Sequence, residues 1–196
     1  MINNTLEKAL DGERISPKEA VCLFQMTDIL LLGNVASRIT RKKIKERVIT
    51  YVVDRNINYT NICITDCAFC AFYRKDGDEE AYVHPFKIIA AKIEETIALG
   101  GRQILLQGGH NINLRIDYFE DLFQSIKERF DIHLHALSPP EIVHTAKISR
   151  LTINETLQRL SDAGLDSIPG GGAEILVDHV RRKISPHKCS TDEWLN

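Results

Sequence analysis

From about Val48 onward the chain alternates short apolar runs with amphipathic stretches, and its strand-like runs lead into polar or glycine-rich motifs. That order constrains the fold more than any other feature. Strand, loop and helix repeated along a chain mean a parallel sheet joined by right-handed crossovers. Ile57–Ile62, Gln103–Gln107, Ile132–Leu137 and Leu165–Ile168 read as its strands, and Val48–Val53 reads as a further extended run. Helices are expected at Phe86–Leu99, which Gly100-Gly101 closes, and near Asp117–Phe130. A later helical stretch carries the capping box Thr152-Ile153-Asn154-Glu155, and one more helix runs to about Lys183. Parallel α/β sheets bind ligands beyond the C-terminal ends of their strands. The motifs after the four strands therefore converge on one mouth and are read as one site.

The first fifty residues have a different character. Ser16-Pro17-Lys18-Glu19 is a capping box with proline at the first helical position, and apolar residues then recur at helical spacing. Arg41, Lys42 and Lys43, with Lys45 and Arg47, give that helical region a positive C-terminal turn. Two domains follow: a helical extension over residues 1–47 and an α/β region over 48–196. Lys plus Arg total 25 against 27 Asp plus Glu, a net charge of -2, so the basic turn reads as a solvated helix end rather than a nucleic-acid patch. The most apolar stretch, Val21–Ala36, is interrupted by Gln25, Asp28, Gly33 and Asn34, whereas a spanning helix wants about 20 mostly apolar residues. The expectation is a cytoplasmic globular protein with neither a nucleic-acid nor a membrane partner.

Length sets a limit. A βα unit takes roughly 30 residues and a closed eight-stranded barrel about 250. Ile57–Asn196 accommodates four strands, with a further unit beginning at Ser190-Thr191-Asp192. A barrel truncated at its C-terminus, with an unpaired apolar edge strand, is expected, and an inactive fragment is one outcome of that.

Of the five cysteines, Cys63, Cys67 and Cys70 form a C-x3-C-x2-C triplet, while Cys22 and Cys189 stand apart and are expected to be buried thiols outside that site. An odd count with three crowded together is poor material for disulfides and suits a metal or cluster site in a reducing compartment. Three thiolates on a four-iron cluster leave one iron open to an external ligand. Zinc held by Cys67, Cys70 and a histidine is the alternative.

The triplet, with Phe69 before its last cysteine and placed after the first barrel strand, resembles the radical S-adenosylmethionine (SAM) superfamily. Asp54–Asn61, Ala71-Phe72-Tyr73-Arg74, Leu106-Gln107-Gly108-Gly109-His110-Asn111, His135–Pro139 and Ser167–Leu176 together resemble its cyclic dehypoxanthinylfutalosine synthase family. Aminofutalosine synthase and deazaflavin-forming enzymes share part of this pattern. The resemblance implies a partial TIM-like (βα) barrel with an N-terminal helical extension, and a [4Fe-4S] cluster held by Cys63, Cys67 and Cys70. It further implies SAM as cofactor, a 5′-deoxyadenosyl radical, and an external electron donor.

Roles at the strand ends follow from the same comparison. Phe69, Gly108, Gly109, Ser138 and Glu174 are the expected SAM-binding residues. His110 stands where relatives carry a Glu, and is the candidate catalytic residue, as a substrate contact or a proton acceptor. Ser138 would also cap the Pro139 helix. Of His133 and His135, one should face inward, and His135, nearer the mouth, is the expected substrate contact. Glu174 is expected at a helix N-terminus, behind a Gly170–Gly172 nest suited to a polar or anionic group. Arg181-Arg182-Lys183 reads as a helix C-terminal turn. The implied reaction is cyclisation of dehypoxanthine futalosine on the route to menaquinone. The alternatives are another radical SAM reaction and a non-catalytic zinc or cluster module.

Overall fold

Ile104 and Leu106 are fully buried on one face of the strand Gln103–Gln107, while Gln103, Leu105 and Gln107 are half-buried on the other. This alternation places the sheet between an apolar helical layer and a polar mouth. In the computed structural model, which describes residues 2–46 and 48–196, the strands are β1 (Asp54–Asn58), β2 (Gln103–Gln107) and β3 (His133–Ala136). They run parallel in the order β1-β2-β3, with Asn56 opposite Leu105 and Leu105 opposite His135. Arg47, expected in the basic turn, lies outside the described residues.

The chain divides into two compact units, one ending at Tyr51 and the other spanning Val52–Asn196. The first holds α1 (Ile2–Leu10), α2 (Pro17–Phe24) and α3 (Ile29–Lys43). Ser16 and Glu19 close the capping box that starts α2, and Lys8 pairs with Glu19 at 3.0 Å. Thr5, Leu6 and Val35 form the small buried centre of this unit.

In the second unit, α4 (Phe86–Ala98) and α5 (Ile116–Arg129) cross over between successive strands, bringing Ile89, Ile93, Phe119, Phe123 and Ile126 against Ile57, Ile104 and Leu134. Gly100 closes α4 with φ +83°, in the left-handed region open to glycine. The later helices are α6 (Pro139–Ser149), α7 (Ile153–Asp162), α8 (Asp178–Ile184) and α9 (Thr191–Leu195). Thr152–Glu155 and Ser190–Glu193 are complete capping boxes for α7 and α9. No helix among the described residues is long and apolar enough to cross a membrane.

The architecture is a three-stranded parallel sheet with helical crossovers, part of a TIM-like barrel. One expected strand is corrected, and the expected extended run joins no ladder. Val48–Val53 forms no strand, and Ile49 and Tyr51 are 91% and 84% exposed; β-branched side chains favour extension but need a paired ladder to become a strand. Leu165–Ile168 is reduced to a single parallel bridge between His135 and Ser167, because Pro169 supplies no N–H to extend the ladder. The first strand also lies earlier than expected, at Asp54–Asn58 rather than Ile57–Ile62.

Candidate active site

The loop after β1 carries the cysteines. Asp66 adopts a left-handed conformation at φ 50°, reversing the chain between Cys63 and Cys67. Backbone bonds fix the loop from outside: Cys63 N–H donates to Arg74 O, Ile64 N–H to His110 O, and Ala68 N–H to Ile184 O at 2.8 Å. Cys63 and Cys67 are buried and Cys70 half-buried, and all three line one cavity of about 340 Å³. Thr65 sits among them, its hydroxyl 3.0 Å from Cys63 Sγ and 3.4 Å from Cys67 Sγ. The N–H of His110 points at Cys63 Sγ, 3.3 Å away.

The same cavity is lined by Phe69, Gly108, Gly109, His110, Ser138 and Glu174, so most of the residues singled out in the sequence meet in one place. Gly109 is there because nothing larger fits. A Cβ would fall 2.2 Å from Ile62 O and 2.8 Å from Cys63 Cβ. At Gly108 a Cβ would strike the Tyr59 ring at 2.5 Å. These glycines let the end of β2 press against the cysteine loop.

His110 is buried and its ring stacks on His144, centroids 4.9 Å apart. Burial, with His144 and Lys188 nearby, lowers its pKa to about 3, so the imidazole is neutral and its protonated form is disfavoured. His135 is not among the cavity-lining residues. His133 and His135 lie two apart on one strand and therefore share a face, which corrects the expectation that only one turns inward. Both rings reach the Ser167 hydroxyl at 2.7 Å.

Two further expectations change. Ser138 occupies the N-cap position of α6, but its hydroxyl makes no cap; it donates to Glu141 Oε2 at 2.6 Å. Glu174 is not at a helix N-terminus, because α8 begins only at Asp178 after an irregular segment behind Gly172, whose φ is +80°. Glu174 instead pairs with Lys188 at 3.1 Å. Arg181, in the last turn of α8 as expected, is buried. Cys22, on α2, is half-buried rather than buried as expected, whereas Cys189 is buried beside Arg181, its thiol pKa raised chiefly by burial.

Sequence reasoning missed Glu141. It is 4% exposed, lines the cavity, and accepts hydrogen bonds from Tyr59 Oη at 2.9 Å, Gly108 N–H at 2.9 Å and Ser138 Oγ. Burial raises its pKa to about 7 against the pull of these donors, leaving a carboxyl poised between its two forms near neutrality. The available signal was Ser138-Pro-Pro-Glu141, whose spacing suits a capping box but whose carboxylate turns inward instead.

The donor set discriminates between metals. A zinc ion needs its ligands gathered around a single point. Among the described residues no group of three His, Cys, Asp or Glu side chains is placed to hold one ion. Three thiols lining one cavity suit a [4Fe-4S] cluster, in which each thiolate binds a separate iron.

Comparison with known proteins follows the same direction. The family model described as the radical SAM superfamily matches residues 57–196. The cyclic dehypoxanthine futalosine synthase of Halalkalibacterium halodurans is 46% identical over 196 residues, covering 100% of this chain and 53% of that protein. The enzyme of the same name from Streptomyces coelicolor is 39% identical, covering 97% and 49% respectively. A 5-amino-6-(D-ribitylamino)uracil–L-tyrosine 4-hydroxyphenyl transferase from Nostoc sp. is 41% identical, covering 97% and 51%. The chain thus spans about half the length of the curated relatives it matches. In fold it is similar to the crystal structure of methylornithine synthase (PylB), with TM-score 0.65 and 16% identity over 98% of this chain and 53% of that one. The [FeFe]-hydrogenase maturase HydG gives TM-score 0.57 at 16% identity, over 85% and 45%.

Proposed function

The chain belongs to the radical SAM superfamily, and from that premise we propose that it takes part in menaquinone biosynthesis as a cyclase of dehypoxanthine futalosine, giving cyclic dehypoxanthinylfutalosine. The observation that carries this reading is the single cavity lined by Cys63, Cys67, Cys70, Gly108, His110 and Glu141. It is supported by the 46% identity across the whole chain to a protein named for that reaction.

Members of the superfamily use a [4Fe-4S] cluster and S-adenosylmethionine. In this reading Cys63, Cys67 and Cys70 hold the cluster, and Phe69, Gly108, Gly109, Ser138 and Glu174 contribute the surface on which SAM lies. Bound there, the pair supplies a 5′-deoxyadenosyl radical, at the cost of one electron from an external donor in a reducing cytoplasm. The chain's own task is to hold one C–H bond of the substrate ribose in place, since orientation decides which hydrogen such an indiscriminate radical removes. Close packing of Gly109 against Ile62 and Cys63 fixes the end of β2 beside the cysteine loop.

Ring closure of the ribose radical onto the benzoate must end with loss of a proton and of one electron, the electron passing to an external one-electron acceptor, to restore aromaticity. In this reading His110, on the cavity wall with His144 stacked behind it, is a substrate contact rather than the base, since burial lowers its pKa to about 3. His135, hydrogen-bonded to Ser167, lies outside the cavity lining and has no substrate role in this reading.

The test is anaerobic reconstitution, which should give a brown protein with about four irons. Dithionite and SAM should then release 5′-deoxyadenosine, and mass spectrometry should find the cyclised product from dehypoxanthine futalosine. A colourless protein retaining one zinc would overturn the reading in favour of a non-catalytic module. A second reading, favoured by the 41% identity to the tyrosine 4-hydroxyphenyl transferase, is tested by offering 5-amino-6-(D-ribitylamino)uracil and L-tyrosine under the same conditions.

A further inference from the structure

Polar side chains on the inner face of the sheet fare differently at its two ends. Strand periodicity puts Asp54, Asn56 and Asn58 of β1 on one face, in register with Gln103, Leu105 and Gln107 of β2. At the end away from the cavity, Gln103 Nε2 donates to Asp54 Oδ2 at 3.2 Å, so that pair closes on itself. At the other end Asn58 lies opposite Gln107, both half-buried and both lining the cavity. Among the described residues neither amide makes a hydrogen bond. Asn61, on the same cavity, is the contrast: its Nδ2 donates to Glu80 O, and its Oδ1 accepts from Tyr82 N–H. Gly171 faces Gln107 from the glycine loop. A Cβ there would come within 3.1 Å of Gln107 Nε2, so the glycine leaves the amide uncovered.

A primary amide offers two N–H donors and one carbonyl acceptor, and carries no charge. Two of them side by side match a ligand that donates and accepts at neighbouring atoms, as adjacent hydroxyls do. A carboxylate only accepts and would leave both amide carbonyls unanswered, and an apolar ring would strip the amides of water without replacing it. The pair also stands apart from the SAM surface. Gly108 and Gly109 follow Gln107, and Cys63 comes five residues after Asn58, so the amides belong to the strands and the cluster and cofactor residues to the loops beyond them.

We propose that Asn58 and Gln107 form an amide clamp for adjacent hydroxyls of the substrate's five-carbon sugar group, and so fix which of its C–H bonds is presented for abstraction. The inference rests on the reading of the cavity as a SAM and substrate site, and deepens it by naming the part of the substrate that the sheet recognises. SAM has a ribose of its own, so the test separates cofactor from substrate.

The experiment is equilibrium binding to the cluster-loaded protein, comparing the wild type with Asn58→Leu and Gln107→Met, each close in size to the residue replaced. The probes are SAM, dehypoxanthine futalosine and the dideoxy analogue of the latter that lacks the two adjacent ribose hydroxyls. Each substitution should weaken binding of dehypoxanthine futalosine by roughly five- to twentyfold. Iron content, SAM affinity and affinity for the dideoxy analogue should stay at the wild-type values. Equal loss for dehypoxanthine futalosine and its dideoxy analogue would make the two residues merely structural, loss confined to SAM would give the pair to the cofactor, and unaltered affinity would show no contact. Each of these overturns the inference and leaves the functional reading standing. A wild type that loads iron and binds SAM, but not dehypoxanthine futalosine, overturns the functional reading instead. The comparison is then made with 5-amino-6-(D-ribitylamino)uracil, whose ribityl chain carries adjacent hydroxyls, and with its dideoxy analogue, and the clamp stands or falls on that pair. A wild type that loads no iron overturns both.

Discussion

The hydroxyl of Tyr59 donates to Glu141 Oε1 at 2.9 Å, a bond across 82 residues of sequence that ties the end of β1 to the first turn of α6. The N–H of Gly108, just past β2, reaches the same oxygen. One buried carboxyl thus fastens two strand ends and a helix at the mouth of the cavity.

That carboxyl makes stability depend on pH. Its pKa is raised from 4.5 to about 7 on folding, so the folded state holds a proton that the unfolded chain releases between those values. Stability from this source is fully present below about pH 4.5, declines as pH rises, and is gone above about 7, a change of about 3 kcal/mol. Glu141→Gln keeps an acceptor for Tyr59 and Gly108 and cannot ionise. Urea denaturation at pH 5 and pH 8 should show a falling midpoint for the wild type and a flatter response for the variant. Parallel pH dependence in the two proteins would show that Glu141 does not carry the effect.

The three cavity cysteines should behave as a set. Replacing Cys63, Cys67 or Cys70 by Ala is expected to abolish iron loading and 5′-deoxyadenosine release. Cys22 on α2 and Cys189 beside Arg181 line no part of the cavity, and their Ala variants should load iron as the wild type does. Iron content and the visible absorbance of each variant decide the point. Equal loss from all five would refute the assignment.

Some of this was legible in the sequence because the deciding forces are local. β2 appears at Gln103–Gln107 as read, since alternate burial of Ile104 and Leu106 leaves a period-two pattern. The capping boxes at Ser16 and Thr152 close as written, because each needs only residues three apart. What failed depended on distant partners. Val48–Val53 has the composition of a strand and no ladder to join. Leu165–Ile168 pairs through Ser167 alone. Glu141 passes for an ordinary first-turn acid until Tyr59 and Gly108 are brought to it. Lys188 passes for a surface lysine until Glu174 and Phe69 enclose it.

The glycines offer a controlled comparison. Gly109→Ala would drive a methyl into the Ile62 carbonyl, which cannot swing aside as a flexible side chain could. A loss of about 1–3 kcal/mol is expected, together with poorer iron loading because Cys63 must shift too. At Gly170 a Cβ meets nothing within 4 Å, so Gly170→Ala should stay within about 0.5 kcal/mol of the wild type. Denaturation midpoints of the two variants, measured side by side, test the packing argument.

Thr65 should set how readily the loaded protein takes up its electron. Its hydroxyl lies 3.0 Å from Cys63 Sγ and 3.4 Å from Cys67 Sγ, and the residue is 3% exposed, so water cannot easily replace it. Hydrogen bonds to cluster sulfurs spread negative charge and favour the reduced, more negative state. Thr65→Val keeps the shape and removes the donor. The reduction potential should fall by on the order of 40 mV, about 1 kcal/mol for a one-electron couple, with iron content unchanged. The His110 N–H to Cys63 Sγ persists in the variant, because it belongs to the backbone, and limits the fall. Thr65→Ser, which restores the hydroxyl, should return the potential toward the wild-type value. A redox titration followed by electron paramagnetic resonance measures all three proteins, and identical potentials in the wild type and the valine variant would remove Thr65 from the account.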